Sequence, residues 1–260
     1  MAVFYRYLLA TFFMFFINFT FIKKSLRYPL ANHKFFMLQG LFNFCLNYIL
    51  TYTSEKYINS GLVALTFTSL IYFNMGGMKL FFKKKISPSV WAGAALGCLG
   101  IMCLFWKEIS SENFGSKTFY GIFIALVATF FASIGNMFAT YNHQQKIPVM
   151  TFNAFSMMYG AFFSFIFALI MNESFKVTLN FSFLTSLLYL SFFGTVVAFW
   201  AYQTLVGELG AEKAAYTSII SPVIAVFMSN YFEKVPYTKE LLLGMGLCFL
   251  GNYFALKKNH

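Results

Sequence analysis

The sequence predicts an all-α integral membrane protein, and three observations predict it. The chain has 260 residues, of which 59% are hydrophobic and only 10% are charged. A soluble domain of this length needs a more polar exterior, so part of the solvent is lipid. Nine segments are apolar over about 20 residues, the length that crosses a bilayer as a helix. Most of the charge, which sums to +11, lies in the short joints between them.

The nine predicted transmembrane helices are residues 3–22, 35–53, 60–82, 89–106, 119–139, 151–171, 181–205, 212–231 and 239–256. The first is not read as a signal peptide, because it lacks a basic leading region and a small-residue cleavage site. All four cysteines lie inside apolar runs without metal-ligand spacing, so neither a disulfide framework nor a metal site is expected.

Lysine and arginine in the joints predict the orientation of the chain. One set of alternate joints carries eleven of them, and the other set carries six. Because cytoplasmic loops are enriched in these residues, the first set is predicted to be cytoplasmic, together with the C-terminus. The expected location is the inner cell membrane, crossed many times. Positive charge spread over several short joints argues against a nucleic-acid partner.

An internal repeat links residues 52–103 with residues 202–254. Thr68-Ser69-Leu70-Ile71 aligns with Thr217-Ser218-Ile219-Ile220, and Gly93 and Gly100 align with Gly244 and Gly251. The number of spans between the two copies gives them opposite orientations in the bilayer. Inverted repeats are the construction of many secondary transporters, which open to either side around a site at the midplane.

Pro222 lies in the middle of the predicted span 212–231. A proline at this depth removes an N–H group and frees the carbonyl of Ser218, which suits a helix that lines a hydrated cavity. We therefore interpret Pro222 as a hinge. The alternative is a kink that serves packing alone, since proline is common in membrane helices.

At these residues the sequence resembles the EamA-type transporters of the drug/metabolite transporter superfamily. The second copy carries the pattern in Leu209-Gly210-Ala211, Ser221-Pro222, Phe232-Glu233, Gly244, Gly246 and Gly251. Phe232 stands where the family has glycine. The first copy is looser: Ser60-Gly61-Leu62-Val63-Ala64 fits, but Lys83 replaces the acid. The opening Tyr5-Arg6-Tyr7-Leu8-Leu9-Ala10 is similar to the family's second span.

The resemblance implies a ten-helix inverted-repeat transporter fold with both ends cytoplasmic, of which this chain lacks the first helix. Either the true start lies upstream or the chain is a trimmed variant. The implied organisation is a first repeat of four helices at 1–106, a connecting loop at 107–118, a second repeat of five helices at 119–256 and a cytoplasmic tail at 257–260.

Polar residues inside the spans are the candidates for a substrate pathway, because they are costly in lipid. They are Asn43, Asn47, Tyr48, Thr66, Ser69, Asn74, Asn136, Trp200, Gln203, Thr217 and Ser221. Amides, hydroxyls and rings without an acid at mid-depth suit amino acids, nucleosides and aromatic or amphipathic solutes. The alternative role is hydrogen bonding between helices. For serine and threonine it is bonding to their own helix backbone.

The predicted function is secondary transport of such a solute by alternating access, as exchange or facilitated diffusion, since no carboxylate lies at mid-depth. The alternatives are a truncated, non-transporting remnant or membrane scaffold and, less favoured, a membrane-embedded enzyme. No catalytic residue, cofactor or metal is expected. The expected partners are the solute, membrane lipid and a second copy. A homodimer would use the glycine-rich helices around Gly93 and Gly244, which serve contact within one chain or between two.

Overall fold

A computed structural model of the chain describes residues 2–22, 26–58, 60–104, 106, 110, 115–172, 181–220, 224 and 239–256. Within these ranges the chain is built from α-helices interrupted by π-helical segments. In chain order they are α1 (Ala2–Ile17), π1 (Asn18–Ile22), α2 (Leu30–Gln39), π2 (Gly40–Leu46), α3 (Asn47–Ser54), α4 (Ser60–Phe67), α5 (Leu70–Phe82), α6 (Pro88–Leu104), α7 (Ser116–Gln144), α8 (Val149–Ile170), α9 (Phe181–Ser191), π3 (Phe192–Val197), α10 (Ala198–Leu209), α11 (Ala211–Ala214) and α12 (Lys239–Leu256).

The helices coincide with the predicted spans wherever those spans fall on described residues. Among the described residues, four segments are long and apolar enough to cross a membrane: Val3–Phe21, Ser116–Gln144, Val149–Ile170 and Phe183–Leu209. The apolar helices Pro88–Cys103 and Leu242–Ala255 are shorter. The all-α membrane fold is confirmed, and the number of crossings stays a prediction. Both Ser221 and the predicted hinge Pro222 lie outside the described residues.

The chain divides into two compact units. Unit 1 comprises Met1–Ile49 and Ile134–Gly210, and unit 2 comprises Leu50–Ser133 and Ala211–His260. Each unit therefore takes one piece from either half of the sequence. The division into repeats at 1–106 and 119–256 follows the sequence and not this spatial grouping, and it stays a prediction.

In unit 1, helix α1 packs against α8 through one face. Tyr7, Ala10 and Met14 recur every three or four residues, as one side of a helix requires, and all three are fully buried. Phe12 and Phe16 on the other side are exposed. In a membrane protein, exposed phenylalanines on a helix are suited to contact with lipid tails.

In unit 2, α6 and α12 meet through the glycine faces that the repeat singled out. A Cβ atom on Gly93 would lie 2.6 Å from the Gly251 carbonyl oxygen, and one on Gly100 would lie 2.8 Å from the Gly244 carbonyl oxygen. Glycine is needed here because two backbones approach more closely than any side chain allows. These glycines thus serve contact within the chain; association of two copies stays a prediction.

We predict that Gly251→Ala lowers the stability of the protein in detergent by about 1–3 kcal/mol, because its new methyl group meets the backbone of α6. The matched control is Gly246→Ala on the same helix, where an added Cβ has no atom within 4 Å. That control should be neutral, or stabilising by up to about 1 kcal/mol, since glycine weakens helices. Equal melting temperatures for the two variants would contradict the close packing.

Candidate functional site

A row of amide side chains runs along the helix formed by α2, π2 and α3 in unit 1. Gln39, Asn43 and Asn47 follow one another at four-residue intervals, so they share a face, and all three are buried. This helix is not among the four described segments that are both long and apolar enough to cross a membrane, in keeping with the amides it carries. The sequence predicted Asn43 and Asn47 and missed Gln39, although it stands one turn before Asn43.

The first set of contacts joins Asn43 to the middle of α7 and to α10. Asn43 Nδ2 donates to Asn136 Oδ1 at 3.4 Å, and Asn136 Nδ2 donates to the Tyr202 hydroxyl at 2.8 Å. Gly135 makes room for this approach, because a Cβ there would lie 2.5 Å from the Asn43 Cβ. The structure therefore brings the predicted candidates Asn43 and Asn136 together through a glycine that the site prediction did not include.

The second set of contacts was not predicted. Asn142 Nδ2 donates to Gln39 Oε1 at 3.0 Å, and Gln39 Nε2 donates to Asn153 Oδ1 at 3.2 Å. Asn153 Nδ2 in turn donates to the main-chain oxygen of Phe199 at 3.4 Å. Neutral amides thus link helices α2, α7, α8 and α10. We call these side chains, together with the first set, the amide network: Gln39, Asn43, Asn136, Asn142 and Asn153. The signal that could have found Asn142 and Asn153 is a polar residue at the end of an apolar run.

Several buried polar atoms beside the amide network have no hydrogen-bond partner. They are Asn18 Oδ1, Asn142 Oδ1, His143 Nε2, Ser156 Oγ, and Nε2 and Oε1 of Gln203. Leaving one such atom unpaired costs about 1–3 kcal/mol, so native proteins rarely do it. In native proteins buried atoms of this kind are explained by ordered water, a bound ion or a functional role.

The three π-helical segments each supply a polar side chain to another element of unit 1. Asn18 of π1 donates to Thr151 Oγ1 at 2.7 Å, and Asn43 of π2 reaches Asn136. Thr195 Oγ1 of π3 accepts a hydrogen bond from Arg6 Nε at 2.7 Å. A π-turn inserts one extra residue and so redirects a side chain, and such turns are frequent at functional sites.

Arg6 is a polar residue of unit 1 that the site prediction did not include. Besides Thr195, it donates through Nη2 to the Gly194 carbonyl at 2.8 Å, and its guanidinium lies 5.5 Å from the ring centre of Tyr48. Tyr48, a predicted candidate, therefore supports a cation. Trp200, another candidate, is 46% exposed.

The candidates of unit 2 form a different arrangement. The hydroxyls of Thr66, Ser69 and Thr217 bond the carbonyls of Val63, Thr66 and Ala214, each three residues earlier, in keeping with the local backbone bonding expected from the sequence. Asn74 is fully buried and donates to the Ala211 carbonyl at 2.9 Å. Whether any of these residues contacts a solute stays a prediction.

A buried ion pair lies beside Asn74 in unit 2. Lys84 Nζ lies 2.5 Å from Glu212 Oε1, and the side chain of Glu212 is 3% exposed while that of Lys84 is 40% exposed. The pair holds α11, whose Ala211 carbonyl is bound by Asn74, against the end of α5. Glu212 is the first residue of the predicted span 212–231, and a carboxylate at a span end is expected to be solvated and not buried.

Comparison with known proteins bears on this arrangement. A family model described as the EamA-like transporter family matches residues 1–106 and 119–257. The uncharacterized transporter YdfC of Bacillus subtilis is 25% identical over 222 residues, covering 82% of this chain and 69% of that protein. An Escherichia coli protein named "Probable amino-acid metabolite efflux pump" is 24% identical over 201 residues, covering 75% of this chain and 66% of that protein.

A solved crystal structure also superposes on the chain. The TM-score is 0.80 at 14% sequence identity, over 98% of this chain and 86% of that chain, and this likeness shows the fold alone. Apolar helices that bury a hydrogen-bonded amide network, together with these relatives, define a multi-pass membrane transporter. The chain belongs to the EamA-like transporter family, because the family model covers nearly all of it. Neither the family description nor these names describe an enzyme.

The hydrogen bond between Asn43 and Asn136 predicts a measurable coupling. In a double-mutant cycle of Asn43→Ala and Asn136→Ala, we expect a coupling energy of about 0.6 kcal/mol, the average for such bonds in membranes. As a control, Asn43→Ala combined with Thr204→Ala should be additive within about 0.5 kcal/mol, because Thr204 bonds the Trp200 carbonyl on its own helix. Unfolding in detergent measures both cycles. Additivity in the first cycle would show that this contact is not formed.

The ion pair predicts unequal costs for its two partners. Lys84→Met leaves a buried carboxylate without its cation, and it should cost about 2 kcal/mol after allowance for the solvent around Lys84. Glu212→Gln leaves only a partly solvated lysine and should cost about 1 kcal/mol or less. The double variant should recover part of the loss in Lys84→Met. Equal costs in thermal or denaturant unfolding would contradict the burial of Glu212.

Proposed function

We propose that the protein is a secondary transporter of small neutral or zwitterionic organic solutes, such as amino acids, nucleosides or amphipathic metabolites. Transport proceeds by alternating access between two inverted repeats in the inner cell membrane. The observation that carries this proposal is the amide network of unit 1, with its unpaired polar atoms inside apolar helices. Polar groups buried between apolar helices are costly, and they are retained where a solute or water must be bound.

The chemistry of the amide network supports this class of solute. Its members are uncharged, and each amide offers a donor and an acceptor. The nearby cation, Arg6, is bound to Thr195 and to the main chain of Gly194. A solute without net charge therefore fits better than a polyanion or a fixed cation. The name of the Escherichia coli relative, an amino-acid metabolite efflux pump, supports an amino-acid-type solute.

The energy source is proposed to be the solute gradient itself, as exchange or facilitated diffusion. Coupling to protons usually needs a carboxylate that can bind and release a proton within the membrane. Among the described acids only Glu212 is buried, and Lys84 neutralises it. This pairing favours a structural role for Glu212 over proton transport.

Contacts between joints support the proposed orientation. Lys84 and Glu212 belong to joints that both carry the cytoplasmic charge pattern, and they touch. Tyr57 and Tyr120 flank the alternate joints, and their ring centres lie 5.1 Å apart. Each pair joins segments assigned to the same side of the bilayer, as a correct assignment requires. The choice of the cytoplasmic side rests on the lysine and arginine count of the joints, from which we propose a cytoplasmic C-terminus.

Flux into vesicles tests the function. Purified protein reconstituted alone should accelerate the exchange of labelled neutral amino acids or nucleosides above protein-free vesicles. The rate should stay the same when a pH gradient is imposed, because no free buried carboxylate is seen in the described part of the chain. If the solute is taken up against its own gradient, at a rate that follows the imposed pH gradient, the proposed coupling mechanism is overturned. No flux for any such solute would favour a non-transporting remnant or scaffold.

A further inference from the structure

Gln203 is a fully buried amide whose hydrogen-bonding capacity is unused. Its side chain is 0% exposed, and neither Nε2 nor Oε1 has a partner. Oxygen and nitrogen of an amide are assigned from their contacts, but here exchanging them changes nothing, since both are unpaired. Among the residues that the structure describes, no other side chain has two buried polar atoms without a partner.

Its neighbours on α10 define where the amide lies. Phe199, Gln203 and Gly207 are spaced by four residues and share one face of the helix. The Phe199 carbonyl accepts Asn153 Nδ2, and the His143 ring packs against Gly207 so closely that a Cβ there would overlap it. The Gln203 amide therefore faces the region between Asn153 and His143.

The His143 ring borders this region: its Nε2 lies against Gly207, and the ring interacts with the Gln203 main chain. Its ring packs edge-on against Phe152 with the ring centres 5.8 Å apart, and its Nε2 is buried without a partner. Depending on the tautomer, this nitrogen donates or accepts one hydrogen bond. An apolar wall, an amide with both ends unpaired and a ring nitrogen thus lie at one place in unit 1.

We propose that Gln203 binds the polar head of the transported solute, an uncharged group with a donor and an acceptor side by side, and that the His143 ring borders this site. A primary carboxamide and the edge of a nucleobase are such groups, since an amide side chain pairs with them through two parallel hydrogen bonds. This inference rests on the proposed transport function and narrows its substrate class.

Charged head groups form poorer hydrogen bonds with Nε2 and Oε1 of Gln203. A carboxylate has only acceptors, so one of its oxygens would face Gln203 Oε1. An ammonium group has only donors and would leave Gln203 Nε2 unpaired in a buried site, which is costly. Ordered water can also satisfy both atoms, and it would do so without preferring one solute over another.

Three labelled amino acids of similar size test the proposal in vesicles that contain the full chain. L-glutamine carries a carboxamide, L-glutamate carries a carboxylate at the same place, and L-methionine is apolar there. We expect glutamine to be transported with a KM about tenfold lower than either of the others, the effect of roughly one to two hydrogen bonds. Gln203→Met, which conserves volume, should abolish this preference. Thr204→Val, one residue further along α10, should keep it.

The outcomes separate this inference from the transport function. Flux of all three amino acids without a preference for glutamine, or a preference that survives in Gln203→Met, would overturn the head-group site and leave transport standing. If the wild-type protein moves none of them, the proposed function fails for this solute class, and the head-group site fails with it. If Gln203→Met does not fold, wild-type melting temperatures decide: glutamine should raise them more than glutamate or methionine, and equal shifts would overturn the site.

Discussion

Every polar group inside an apolar helical protein must find its partner within the protein, and the structure depends on this constraint. Lipid offers no hydrogen bonds, so an unpaired amide or carbonyl there costs several kcal/mol. The helices of unit 1 meet this demand with neutral amides that bond across helices, such as Asn43 with Asn136 and Gln39 with Asn153. Unit 2 meets it near the ends of α4 and α11 with hydroxyls that bond backbone carbonyls three residues earlier. The same constraint makes the unpaired amide of Gln203 informative.

The helices could be predicted from the sequence because lipid imposes a single requirement, an apolar run of sufficient length. The runs that became α1, α7, α8 and α10 satisfy it directly. The repeat likewise predicted that Gly93 and Gly251 allow close contact, because glycine is small in any context. The comparisons place the chain in the family that its glycine and proline pattern resembles.

The partners of the polar residues could not be predicted in this way. Asn43 and Asn136 were selected for their depth in the membrane, but depth alone does not show that they touch. The π-helical segments are a second reason, because one extra residue in a turn rotates every later side chain by about 100°. A regular helix drawn through 40–46 would aim Asn43 elsewhere. Glu212 was missed because a residue near a span end is expected to be solvated, whereas Lys84 and α5 cover it.

The two units solve the problem of buried polarity with different chemistry, and the difference bears on mechanism. Unit 2 holds its buried charge in the pair of Lys84 and Glu212, which fixes α11 but has no free proton-binding group. Unit 1 holds neutral amides, and under the proposed function each hydrogen bond that an amide loses to a helix is replaced by one to the solute. Charge would then stabilise the scaffold, and the neutral amides would serve recognition. This arrangement favours an uncharged head group and a solute gradient as the driving force, which joins the proposed substrate class to the proposed coupling.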